Sequence, residues 1–203
     1  MTNLVLLSLN MGDFWLKMGF QHLLDFNGYD HMLFLWMSFL TFTFSQYKRA
    51  FFQVTLFTLA HSLTLAISVF QWVPFSTAWV ERFIALSIAL SALLPLINTY
   101  IKPQASWVSG ALIFVFGLIH GMGFSGLLVS LLGHSQAISI PLLFFNVGLE
   151  LGQLLFVVFI LSLQSLLQRA KPEFTNTYIK ATAIIGLSLG IYLFVCQIGR
   201  AHV

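Results

Sequence analysis

Apolar residues run through this chain in six long stretches, each near the roughly 20 helical residues that a bilayer core about 30 Å thick demands. The stretches lie at approximately 29–46, 51–72, 79–100, 107–132, 139–168 and 177–198. Short polar segments separate them: Ser45–Arg49, Pro74 with Ser76, Lys102–Gln104, Gly133–Gln136 and Arg169–Glu173. Ahead of the first stretch, Asp13–Leu24 reads as a short helix capped by Asp13, either interfacial or re-entrant, breaking near Asn27–Gly28. The predicted fold is all-α: a polytopic transmembrane helical bundle of about six spans plus that short N-terminal helix, forming one domain over residues 1–203.

Composition supports lipid as the main solvent. Of 203 residues, 59% are hydrophobic and 7% charged, against roughly 25% charged in a soluble domain. The 22 Phe and 5 Trp suit a lipid-facing exterior with interfacial aromatics. A net charge of +3 is too small and scattered for a nucleic-acid partner and reads instead as loop charge that sets topology. Lone Cys196 excludes an internal disulfide framework. Met1–Asn10 is apolar but lacks a basic leader and an A-x-A site, so it is not read as a cleaved signal peptide. Lys48, Arg49, Lys102, Arg169, Lys171 and Lys180 fall on one side of the predicted spans, and Lys17, Arg82 and Arg200 on the other. The bias puts both termini outside the cytoplasm.

Ionisable side chains inside a membrane cost at least about 2.5–3.5 kcal/mol each and are functional candidates by default. His61, His120 and Glu150 lie near the middle of their spans. Asp30 and His31 open the first span, His22 precedes it, and Glu81 begins the third. The expected topology sorts them into an outer group of His22, Asp30, His31 and Glu81 above a deeper trio of His61, His120 and Glu150. Polar stripes at helical spacing accompany them: Asn146, Glu150 and Gln153; Thr55, Thr58, His61 and Ser62; Ser87, Ser91 and Asn98. Such stripes point into a bundle, because lipid offers no hydrogen-bond partner. A buried histidine bonded to a helix carbonyl is the bland alternative for His61 or His120 taken singly, and it weakens when the group is taken together. His134 and His202 fall in a loop and a tail, and Asp13, Lys17, Asp25 and Glu173 read as interfacial.

The fourth span contains Gly117, Gly121, Gly123, Ser125 and Gly126 around His120. These small residues mark either close helix packing, for which Gly117-x3-Gly121 is suited, or a locally unwound helix presenting carbonyls to a ligand. Gly186 and Gly190 on the last span read as packing.

The ordered motifs resemble the HupE/UreJ membrane proteins, in particular their second branch. The matching pieces are Gly28–Leu35, Phe57–Leu65, Val80–Ile88, His120–Phe124 and Phe145–Gln153, in family order over roughly residues 18–160. The interval from His22 to Gly28 is longer than the family's usual one, and the sixth span carries no family motif. The resemblance implies association with nickel or cobalt uptake, as permeases serving hydrogenase and urease maturation. It places the chain in a bacterial inner membrane, with the metal ion and the lipid bilayer as partners and room for a homo-oligomer.

Two mechanisms fit the residues. In the first, a divalent transition metal (Ni, Co or Zn) binds through His22, Asp30, His31, His61, Glu81, His120 and Glu150, and the chain is a permease for ions of the Ni²⁺/Co²⁺ type. Imidazole and carboxylate suit such borderline ions, and neutral imidazole is the binding form, so uptake weakens below the ~6.5 reference pKa of histidine. In the second, the chain is an intramembrane zinc-dependent hydrolase of a lipid or membrane peptide. There His31, His61 and His120 hold the metal, Asp30 or Glu150 is the general base and Ser62 stabilises the oxyanion. The cytoplasmic halves of the spans offer Thr41, Thr43, Thr55, Ser91, Asn98 and Gln164 but no His, Asp or Glu. A purely structural role leaves the intramembrane ionisable groups unexplained.

Overall fold

The computed structural model describes residues 2–24, 29–70, 76–97, 106–132 and 138–200, which fold entirely as helices and short turns. Asp25, Asn27–Gly28, Pro74, Asn98, Lys102–Gln104, Gly133–Gln136 and His202 lie outside the described residues. In chain order the helices are α1 (Thr2–Leu24), α2 (Tyr29–Phe39), α3 (Tyr47–Val69), α4 (Thr77–Ile97), α5 (Ser106–Leu132), α6 (Ser139–Ala170) and α7 (Pro172–Arg200). Among the described residues, four stretches are long and apolar enough to cross a membrane: Phe44–Val69, Thr77–Ile97, Ser139–Ala170 and Pro172–Cys196. Ser109–Phe124 of α5 is a shorter apolar helix of the same kind.

The later boundaries follow the hydropathy pattern to within a few residues, but the beginning of the chain departs from it. The N-terminal helix is 23 residues long rather than a short element beginning at Asp13. The expected first span, 29–46, is helical only over Tyr29–Phe39. Eleven residues rise about 16 Å, half of what a crossing needs. The chain then turns through a 3-10 segment at Phe44–Gln46. Thr43 starts that turn, its N–H donating to Gln46 Oε1 at 3.1 Å, so the S/T-x-x-Q capping pattern overrides the continuous apolar run.

Both pieces lie along α6 and run in its direction. Gly12 meets the Phe144 ring, Gly148 abuts the Leu16 carbonyl, and Gly152 faces the Phe20 carbonyl. Farther along, Trp36 of α2 packs on Phe156 and Phe159, and the Phe44 N–H donates to Ser165 Oγ at 2.8 Å. Residue numbers rise together throughout, so α1 and α2 form a broken helical column beside the unbroken 32-residue α6. Glycine makes the approach of α1 and α6 possible, since a Cβ at Gly19 would overlap the Phe145 carbonyl and one at Gly148 the Leu16 carbonyl.

Helices α3 and α5 pack by the same device. A Cβ at Gly117 would lie 2.6 Å from the Phe57 carbonyl oxygen, and one at Gly121 would overlap the His61 carbonyl and Thr64 Oγ1. α5 stays helical through this glycine-rich stretch, so close packing, not unwinding, accounts for Gly117 and Gly121. On α7, Gly190 abuts the Ala89 backbone and Gly186 meets the Met37 side chain, as packing glycines do.

Substitution at such a contact forces backbone apart. Gly148→Val is expected to destabilise the protein by about 1–3 kcal/mol, read as a lower melting temperature in detergent. Gly126→Ala, whose added methyl would meet nothing within 4 Å, should melt with the wild type. Equal melting of Gly148→Val and wild type would contradict this packing.

Candidate metal centre

Four helices deliver one histidine each to a common point. His22 comes from the last turn of α1, His31 from the start of α2, His61 from the middle of α3 and His120 from α5. The end of α1 and the start of α2 bring two of them together. His22 and His31 rings are 4.8 Å apart between centroids, as are His31 and His120. His31 and His61 are separated by 5.8 Å, and His22 and His61 by 6.5 Å. One ring nitrogen from each of His22, His31 and His61 lies within 4.8 Å of the other two, a spacing that can close around one metal ion. His120 stands beside this trio, against His31.

The two flanking hydrogen bonds decide which nitrogens face the centre. Asp30 Oδ1 is 3.1 Å from His31 Nδ1 and also accepts the His31 backbone N–H at 2.9 Å. With Nδ1 held by the carboxylate, the lone pair of His31 is on Nε2. His120 Nδ1 sits 2.8 Å from the Phe116 carbonyl and, having only an acceptor there, carries the proton. Its Nε2 is therefore also the free nitrogen.

Among the described residues, nothing satisfies those nitrogens. His22 Nε2, His31 Nε2, His120 Nε2 and both ring nitrogens of His61 are buried without a hydrogen-bond partner. His61 and His120 are 0% exposed. The surroundings are aromatic: Phe124 lies 4.0 Å from His22, Phe34 5.2 Å and Phe57 5.4 Å from His120, centroid to centroid. Burying a polar group without a partner costs on the order of 1–3 kcal/mol, so four such imidazoles in one place call for a ligand. Among the described residues, Asp30 is the carboxylate in hydrogen-bond contact with the cluster, and its side chain is 28% exposed.

The expected sorting by depth changes accordingly. His22, Asp30 and His31 do not form a separate outer tier but join His61 and His120 in a single group. Glu150 stays outside the trio: its Oε1 accepts from Thr55 Oγ1 at 2.5 Å, on the exposed flank of α3. The residue of that stripe that turns inward is Gln153, 0% exposed, whose Oε1 accepts from Thr58 Oγ1 at 2.8 Å. Three residues along a helix is 300°, so Glu150 and Gln153 point about 60° apart, enough to put one on the flank and the other in the core. Glu81, half-buried near the start of α4, is not part of the converging trio. Ser62 donates its hydroxyl to the Thr58 carbonyl at 2.6 Å. The phenylalanine shell carried no sequence signal of its own, since 22 Phe are spread along the chain.

Residues 8–198 match the family model described as HupE / UreJ protein. No curated protein matches the chain, and no solved structure does.

Proposed function

The chain belongs to the HupE / UreJ protein family, and from that premise we propose that it is a membrane permease whose cargo is a divalent ion of the Ni²⁺/Co²⁺ type. The observation that carries this reading is the set of buried, unpartnered imidazole nitrogens on His22, His31, His61 and His120. Imidazole suits nickel and cobalt, and the lone Cys196 argues against a soft-metal thiolate site. His22, His31 and His61 take the ion, His120 Nε2 stands next to them, and Asp30 fixes His31 while offering the approaching cation a partly exposed charge.

In this reading the chain crosses the bilayer six times, with α1 and α2 together making one crossing broken at the histidines. Four reversals separate α2 from α6, which accords with their shared direction. A discontinuous helix at a binding point is a recurrent transporter device, because broken backbone is tolerated where it lines a site. Lysine and arginine bias then places Lys48, Arg49, Arg169 and Lys171 inside and both termini outside. Toward that inner side follow Thr58 and Gln153. Beyond them Val157, Ile160 and Leu161 are fully buried, and Gln164 has both amide atoms buried and unpartnered. The arrangement corresponds to a state closed on its inner side, and release requires that apolar segment of α6 to part from its neighbours.

The hydrolase reading gains nothing from this geometry. Asp30 is committed to His31, Glu150 bonds Thr55, and the Ser62 hydroxyl is held by its own helix. The test is accumulation of nickel and cobalt by cells that express the chain, measured against cells that do not, under limiting external metal. Equal accumulation of both metals would refute the permease assignment. Because Glu150 lies off the trio, Glu150→Gln is expected to leave the metal content of the purified, metal-loaded protein within about twofold of wild type, a factor worth only about 0.4 kcal/mol. Elemental analysis reads this directly, and loss of the metal would return Glu150 to the site.

A further inference from the structure

Away from the histidines, α3 and α5 enclose a groove of about 570 Å³ lined by Arg49, Phe52, Gln53, Leu56, Gly110, Ala111 and Phe114. Arg49, Gln53 and Leu56 climb one face of α3 from its first turn, so polar groups stand at the mouth and apolar ones deeper. Arg49 lies over the Phe42 ring at 5.3 Å, and its Nε is buried without a partner. One turn farther in, Gln53 is 2% exposed; its amide nitrogen donates to Ser109 Oγ at 2.6 Å, and its amide oxygen has no partner. Turning the amide over lets Ser109 donate to the oxygen and frees the N–H₂ for a ligand acceptor. Phe52 lines the groove between Arg49 and Gln53, and farther along the walls are Leu56 and Phe114, with Gly110 and Ala111 leaving the space between them open.

We propose that this groove is a binding site for one anionic phospholipid of the leaflet from which α3 begins. The order of chemistry matches such a lipid along its length. Arg49 takes the phosphate through charge-assisted hydrogen bonds, Gln53 meets the ester carbonyls one turn deeper, and the apolar walls hold the start of an acyl chain. A zwitterionic lipid fits the lower part equally well but brings a cation to the mouth beside Arg49. The groove therefore selects by headgroup charge. The proposal goes beyond metal transport and stands whether or not the histidines carry an ion.

The test is native mass spectrometry of the full-length protein in detergent, loaded with phosphatidylglycerol or phosphatidylcholine of identical chains, following the last lipid retained as collision energy rises. Wild type should retain phosphatidylglycerol about fivefold better, the factor expected for one arginine at the surface. Arg49→Gln should remove that preference, and Gly110→Leu, which fills the groove, should lower retention of both lipids. The fold tolerates bulk at Gly110, since an added Cβ would meet only Leu56 Cδ2 at 3.7 Å. Arg169→Gln, at the end of α6 and off the groove, should behave as wild type. Equal retention of the two lipids by wild type, an unchanged preference in Arg49→Gln, or full retention in Gly110→Leu would each overturn the site.

Discussion

Replacing His61 with alanine should remove bound nickel or cobalt from the purified protein and abolish accumulation in cells. Both ring nitrogens of His61 are buried and unpartnered, and its ring sits against His31 and His22. Loss of a supporting group around a metal typically lowers affinity by about 10–100-fold, and loss of a ligand should exceed the upper end of that range. Equilibrium dialysis with nickel or cobalt reads the affinity. A companion variant separates function from folding. An imidazole held only by packing is a liability, so His61→Leu in metal-free protein should melt at or above the wild-type temperature, because it removes an unsatisfied polar group. Wild-type metal affinity in His61→Ala would end the case for this centre.

Asp30→Ala is expected to weaken metal binding by about 10–100-fold without removing a ligand. The carboxylate holds His31 twice, through Nδ1 and through the backbone N–H, and so fixes both the tautomer and the ring. Asp30→Asn keeps an acceptor for both N–H groups while losing the charge, so its affinity should fall between wild type and Asp30→Ala. The order of the three separates orientation from electrostatics. If Asp30→Ala bound nickel as tightly as wild type, Asp30 would have no part in positioning His31.

Much of this organisation was legible in the sequence, for physical reasons that also explain what was not. α3, α4, α6 and α7 announce themselves because each is an uninterrupted apolar run of crossing length, and only a helix satisfies its backbone within a single such segment in lipid. The α1–α2 column escapes that logic, because residues 29–44 are as apolar as any span although the helix stops at Phe39. Only the Thr43-x-x-Gln46 cap betrays the turn. His31, His61 and His120 were identifiable as interior groups from the cost of burying them. A break near Asn27–Gly28 was expected and lies outside the described residues, but no periodicity reveals that the end of α1 and the start of α2 bring His22 against His31. Glu150 shows the limit of reading depth alone: its azimuth, set by 100° per residue, carries it to Thr55 and away from the histidine trio. Gly117 and Gly121 were ambiguous in sequence, and only the proximity of the α3 backbone identifies them as packing positions.

Histidine ligates a metal only as neutral imidazole, so a cage of histidines holding an ion adds no charge of its own beyond Asp30, and that has an energetic consequence. A divalent ion carried by uncharged imidazoles keeps nearly all of its charge while it moves. With the orientation proposed above, a membrane potential negative inside contributes about 2.3 kcal/mol per elementary charge per 100 mV, hence roughly 4.6 kcal/mol for a doubly charged ion. That is a concentration ratio of about three orders of magnitude at equilibrium. A carrier built this way can gather a scarce metal electrophoretically, needing neither nucleotide hydrolysis nor a counter-ion, and collapsing the potential should stop it while leaving its binding site intact.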